Sequence, residues 1–190
     1  MQKTAPTEER RYAFEELSEL NDGEKMKGNG TLIFFCGKMG AGKSTKSKQL
    51  AHDRNAVLMS EDEWLASLYP DQITSFEEYI KFSGQLKPLV KTHVQRIMCT
   101  GTDVVMDFPA NTLSQRKWFK AIFSEINAPH ELIYLNISDE ICLKQIAQRS
   151  IEQPERATFD TEEVFHHVTS YFEEPSADEG LKIQRIERSV

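Results

Sequence analysis

"FFCGKMGAGKST", Phe34 to Thr45, decides the fold: apolar residues run straight into three glycines, a lysine and two hydroxyls. Gly37, Gly42, Lys43 and Ser44 match the spacing G-x-x-x-x-G-K-[ST], and Gly40 adds a third glycine inside the loop. Glycine lets the backbone turn successive N–H groups inward at dihedral angles closed to other residues. A helix beginning at Lys43 would add the partial positive charge of its N-terminus, so amides and helix dipole converge on an anion. The loop of Gly37, Lys38, Met39, Gly40, Ala41, Gly42, Lys43, Ser44 and Thr45 is therefore expected to cradle the phosphates of ATP. Lys43 would reach the β- and γ-phosphates, and the Ser44 hydroxyl would ligate Mg²⁺. The alternative is a glycine-rich turn without a ligand. "TLIFFC" (31–36) reads as a buried strand and "KSTKSKQLAH" (43–52) as a helix, which is the context the motif needs.

From this point the pattern alternates. Strands are expected over 31–36, 56–59, 102–106, 131–137 and 181–186, and helices over 43–52, 61–68, 75–99, 114–127, 139–150 and 160–172. Short apolar runs alternating with helices imply an α/β fold, a parallel sheet covered on both faces. Ligands of such sheets bind beyond the carboxyl ends of the strands. "FSGQL" (82–86) lacks one glycine of the transporter-ATPase signature and lies within a continuous helical pattern broken mainly by Pro88, so it reads as helix. No N-K-x-D guanine motif occurs, which disfavours a GTPase switch.

The residues with chemistry fall at strand ends. Asp62 follows the second strand in "SEDEW", where Ser60 can cap the next helix and Glu61 and Glu63 suit its first turn. A capping or first-turn role is the alternative for Asp62 too. Asp107 ends "DVVMD" as the acid of a Walker B strand does, and Phe108 stands where motor ATPases usually carry a glutamate. A strand-end turn residue is its competing role. Asn111 and Arg116 follow; Arg116, taken alone, suits a solvated helix face. Arg149 and Arg156 bracket "RSIEQPER", a polar loop over about 149–160 that would serve as a lid carrying arginine to the transferring phosphoryl group. Two surface arginines are the simpler alternative.

The chain of 190 residues fits one domain (31–190), preceded by a helix over 7–20 and a flexible linker to residue 30. That helix would pack on the body or on a protein partner, or form a disordered arm. Residues 31–151 carry thirteen acids and fourteen bases, whereas 152–190 carry ten acids and four bases. Without a strong basic patch, broad nucleic-acid binding is disfavoured. Cys36, Cys99 and Cys142 are widely spaced in apolar stretches and read as buried thiols of a reducing cytoplasm. No apolar run reaches membrane-spanning length, and the first residues lack a secretory h-region, so a cytoplasmic protein without a membrane partner is expected.

With these residues in place the chain resembles the small P-loop kinases of the adenylate-kinase-like group, above all the kinase domain of polynucleotide 5′-kinases, chloramphenicol phosphotransferase and zeta toxins. The resemblance covers roughly 31–173 and rests on "GKMGAGKST", the acid in "SEDEW", "VVMDFPANTLSQRKWF" and "CLKQIAQRSIEQPER". It implies a three-layer α/β/α P-loop NTPase fold with a five-stranded parallel sheet of order 2-3-1-4-5 and a short lid. It implies Mg·ATP as cofactor and a hydroxyl-bearing small molecule or nucleotide as acceptor. Asp62 matches the acid that deprotonates the acceptor hydroxyl, and Arg149 and Arg156 match lid arginines. Lys43, Asp62 and Arg149 are thus the catalytic expectation, with Arg149 and Arg156 joining the loop on ATP, Asp62, Asn111 and Arg116 on the acceptor, and Ser44 and Asp107 on the metal. Polynucleotide kinases of this group carry an arginine where this chain has Leu65, so a nucleic-acid end is disfavoured as acceptor. An ATP-binding regulatory or protein-interaction module without transferase activity is the other expectation.

Overall fold

The computed structural model describes residues 28–154 and 159–188. The expected helix over 7–20, most of the linker after it and Arg156 lie outside the described residues.

β1 (Leu32–Cys36) is buried along its whole length, because its side chains alternate between two layers. Leu32, Phe34 and Cys36 enter one apolar layer, and Ile33 and Phe35 enter the other. The chain then runs through α1 (Lys43–Asp53), β2 (Val57–Ser60), α2 (Glu61–Leu68), α3 (Phe76–Cys99), β3 (Val104–Pro109) and α4 (Leu113–Ser124). β4 (His130–Ile137), α5 (Asp139–Glu152), α6 (Glu162–Thr169) and β5 (Ile183–Arg188) complete it. The strands form a five-stranded sheet of order β2-β3-β1-β4-β5, and every pairing is parallel. This is the order the resemblance implies.

On one face α3 buries Phe82, Leu86, Val90, Val94 and Met98, a stripe near the helical period that continues past Pro88. "FSGQL" is accordingly helix. α4 adds Phe119, which stacks on Phe34 with ring centroids 4.3 Å apart. Each such buried side chain stabilises the fold by roughly 1.5–3 kcal/mol. On the other face Ala51 of α1, Cys142 and Ile146 of α5 and Phe165 of α6 cover Ile33, Phe35 and Val105.

Most element boundaries differ by a residue or more from those read in the sequence, and three of the shifts have a clear local cause. β3 extends to Pro109, because the register slips between Phe34 and Phe35 and sets Phe35 opposite Pro109. Asp107 therefore lies within a strand, not in a turn. α4 stops at Ser124, and Asn127 soon after takes a φ of 50°, which a right-handed helix cannot continue through. α6 begins at Glu162, because Thr161 caps it by accepting the N–H of Val164. The thiols also divide: Cys36 and Cys142 are buried, but Cys99, at the last position of α3, is exposed. Burial pushes the Cys36 thiol up to about 11, so it stays protonated at neutral pH.

Candidate active site

The loop between β1 and α1 has the backbone that its glycines permit. Gly40 sits at φ +75°, and a Cβ there would lie 2.5 Å from the Cys142 carbonyl oxygen of α5. Gly42, at φ +89°, is the left-handed N-cap of α1. The loop is held from two sides. Asn111 accepts the Gly37 N–H at 3.0 Å through its side-chain oxygen, and Lys38 pairs with Asp139 at the start of α5. Asn111, a substrate-binding expectation, gives its side-chain oxygen to the phosphate loop. Asp139, Cys142, Ile146 and Arg149 recur at helical spacing, so one face of α5 follows the loop.

Lys43 turns its Nζ onto the carbonyl oxygens of Gly37 and Lys38, at 2.6 and 2.9 Å. Burial lowers its pKa, the nearby Arg149 charge pushes the same way, and Asp107 opposes both. A half-buried ammonium whose hydrogen bonds go to neutral carbonyls would gain from an anionic ligand.

The registers bring the acids together. Ser60, last residue of β2, stands opposite Asp107 on β3, and Asp62 follows two residues later on the first turn of α2. The Asp107 carboxyl is raised mainly by burial and further by the Asp62 charge, while a hydrogen bond from the Ser44 hydroxyl lowers it. Ser44 thus hydrogen-bonds Asp107 near the end of β3, and Asp62, just past the carboxyl end of β2, is near enough for its charge to act on Asp107. Asp62 is exposed there, and the N-cap of α2 is Ser60, whose Oγ accepts the Glu63 N–H.

Glu61 proves unlike its neighbours and was not singled out by the sequence. It is 1% exposed and accepts the Tyr79 hydroxyl at 2.5 Å and the Ser83 hydroxyl at 2.6 Å. Burial raises its pKa, and the two hydroxyl donors oppose that rise. Both oxygens being committed inside the core, Glu61 cannot serve an acceptor; it ties α2 to α3 beneath Asp62. Glu63 pairs with Lys48 at the surface. Nothing local marks Glu61, because its partners lie 18 and 22 residues along the chain.

Arg116 corrects its assignment to the acceptor. It is 2% exposed, forks onto Glu179 at 2.6 and 2.9 Å, and donates to the carbonyls of Ala110 and Glu173. This guanidinium pins the segment before β5 to α4 and is neither solvated nor in the acid cluster. Breaking a buried ion pair from one side costs about 3–5 kcal/mol. Arg116→Ala is expected to lower the melting temperature by roughly 10 °C, at about 2–4 °C per kcal/mol for a chain of this size, with ATP affinity retained. A thermal melt and a nucleotide titration on one sample check both.

Arg149, in the last turn of α5, forks onto Asp160 at 2.6 and 2.5 Å. Among the described residues no group of three or more His, Cys, Asp or Glu side chains could hold a metal. The donors at the loop nevertheless suit Mg²⁺, a hard ion that takes few protein oxygens and keeps waters. Ser44 and Asp107 would hold it together with phosphate oxygens. No helix among the described residues is long and apolar enough to cross a membrane.

Comparison with known proteins agrees with this architecture. The solved structures it resembles include a provisionally named kinase from Chloroflexus aurantiacus J-10-fl, with a TM-score of 0.65, 17% identity and coverage of 84% of this chain and 86% of that one. The APS kinase CysC of Mycobacterium tuberculosis, solved with AMPPNP and APS, matches with a TM-score of 0.58 and 16% identity over 85% of this chain and 91% of that one. Kti12 of Chaetomium thermophilum, solved with ADP-AlF3, matches with a TM-score of 0.58 and 16% identity over 81% of this chain and 88% of that one. At these identities the likeness shows the fold alone. No curated protein matches the sequence. The family model described as AAA domain matches residues 32–175, and the chain belongs to that family, as a P-loop kinase-like domain.

Proposed function

We propose that the protein transfers the γ-phosphoryl group of Mg·ATP to a hydroxyl of a small molecule or nucleotide. The observation that supports this reading is the register of Ser60 with Asp107, two residues before Asp62, together with the Asp62 charge acting on the Asp107 carboxyl that the Ser44 hydroxyl hydrogen-bonds. A nucleotide-binding module needs the loop and the Ser44–Asp107 pair. An exposed acid on the acceptor side is what a transferase adds.

The roles follow from position. Lys43 leaves its own loop carbonyls for the β- and γ-phosphates. Ser44 and Asp107 would hold Mg²⁺, which when bound would neutralise charge on the phosphate oxygens. Asp62 orients the acceptor hydroxyl and takes its proton as the new O–P bond forms and the bond from Pγ to the bridging oxygen of ADP breaks. Arg149 balances charge on the group in flight. Leu65, at the position where polynucleotide 5′-kinases carry an arginine, is 2% exposed in the core. It cannot reach a nucleic-acid phosphate, which favours a small acceptor.

Lys43→Ala tests the nucleotide half of this reading. Hydrogen bonds to charged groups are worth roughly 1.5–3 kcal/mol, so ATP affinity is expected to fall about ten- to a hundred-fold or more. Equal affinity of wild type and variant in calorimetry would contradict it.

A further inference from the structure

Arg149 and Lys43 bring two positive charges to the same loop, and the Arg149 charge makes it harder for Lys43 to stay charged unless something offsets it. The offset is in place on the Arg149 side. Asp160, one residue before the Thr161 cap of α6, has a side chain with no solvent exposure, whereas Arg149 is 31% exposed. Its Oδ2 accepts from Nε and its Oδ1 from Nη2. A planar fork held by two parallel hydrogen bonds fixes a guanidinium in angle as well as in place. That leaves Nη1, with its two N–H groups, outside the fork. Burying a carboxylate for surface stability alone is a poor exchange, because its desolvation roughly cancels the attraction it gains.

Resting on the role proposed above for Arg149, we propose that Asp160 is a positioning residue for phosphoryl transfer: its buried carboxylate forks Arg149 and holds the outer guanidinium edge toward the phosphate loop. Asp160 touches neither nucleotide nor acceptor. Its effect on transfer is exerted through Arg149, where that guanidinium meets the charge of the transferring group. The arginine is therefore set before ATP arrives, and less ordering remains to be done in the transition state.

The test uses binding of ADP alone against ADP with aluminium fluoride and Mg²⁺, an analogue of the transferring group that needs no acceptor. Asp160→Asn is expected to weaken the aluminium fluoride complex about ten-fold or more and to leave ADP affinity within about two-fold, since only the former loads Arg149. Combined with Arg149→Ala it should cost nothing beyond Arg149→Ala alone, because both remove one coupled device. Arg149→Lys keeps the charge and the carboxylate but not the fork, so it gives a second reading if Asp160→Asn does not fold. It is expected to lose nearly as much as Arg149→Ala. Wild-type analogue affinity in Asp160→Asn or in Arg149→Lys, with Arg149→Ala impaired, would overturn the positioning role and leave Asp160 a structural staple. Wild-type analogue affinity in Arg149→Ala itself would overturn the role of Arg149, a separate and distinguishable failure.

Discussion

Asp62→Asn is expected to lower kcat for phosphoryl transfer by about 10²–10⁴-fold, the usual worth of a general base, with ATP affinity and folding intact. An alcohol is a poor nucleophile at neutral pH, and a carboxylate placed beside it can both aim it and take its proton. Asp62 has the position: exposed on the first turn of α2, close enough to Asp107 to raise its pKa. Its rivals are committed elsewhere, Glu61 to the Tyr79 and Ser83 hydroxyls and Glu63 to Lys48. The competing role as a helix-end charge predicts a different outcome. Ser60 already caps α2, so in that role the Asp62 charge would favour the helix dipole by about 0.3–1 kcal/mol of stability and contribute nothing to activity. A loss in kcat of less than about tenfold would place the base elsewhere.

Arg149→Ala is expected to depress kcat on the order of 10³-fold while changing ATP affinity far less. In the transition state negative charge spreads over the equatorial oxygens of the transferring group, and a guanidinium beside them strengthens its hold at that moment. In the proposed ground state the loop amides and Lys43 would already grip ATP, so its affinity would depend little on one more cation. Arg149 is close enough to Lys43 to shift its pKa and is held in angle by Asp160. Steady-state kinetics beside calorimetry separate the two quantities, and an unchanged kcat would return Arg149 to the surface.

These expectations rest unevenly on the sequence. β1, the glycine loop and α1 are contiguous, so apolar period, glycine spacing and helix start all speak locally, and the structure follows them. Asp107 is visible for the same reason, as the acid closing an apolar run. The strand order is not: each strand is an apolar run of similar character, and which one lies beside which depends on pairings across the chain. It came with the resemblance. Pairings at distance also account for what was missed. Arg116 reads as solvated on its own helix, and partners as distant as Glu173 and Glu179, 57 and 63 residues on, make it a buried pin. Glu61 reads as one of three first-turn acids until α3 brings two hydroxyls to it. Asp160 carries no signal beyond its nearness to a helix start; its meaning comes from Arg149, 11 residues back. Asn111 illustrates a subtler limit. Its place in the motif was legible, but its oxygen turns to Gly37, a contact between separate strand ends that spacing alone does not reveal.

The central claim is transfer to a hydroxyl through Asp62, and γ-labelled ATP tests it most directly. Wild type, Asp62→Asn and Lys43→Ala are each incubated with Mg²⁺, labelled ATP and a panel of hydroxyl compounds and nucleosides, with released phosphate counted apart from labelled product. The account predicts a labelled, acid-stable phosphoester with at least one acceptor for wild type. It also predicts loss of that product in Asp62→Asn despite normal ATP binding, and loss of both in Lys43→Ala. Tight ATP binding by wild type with no labelled acceptor across the panel, or equal product from wild type and Asp62→Asn, would contradict it.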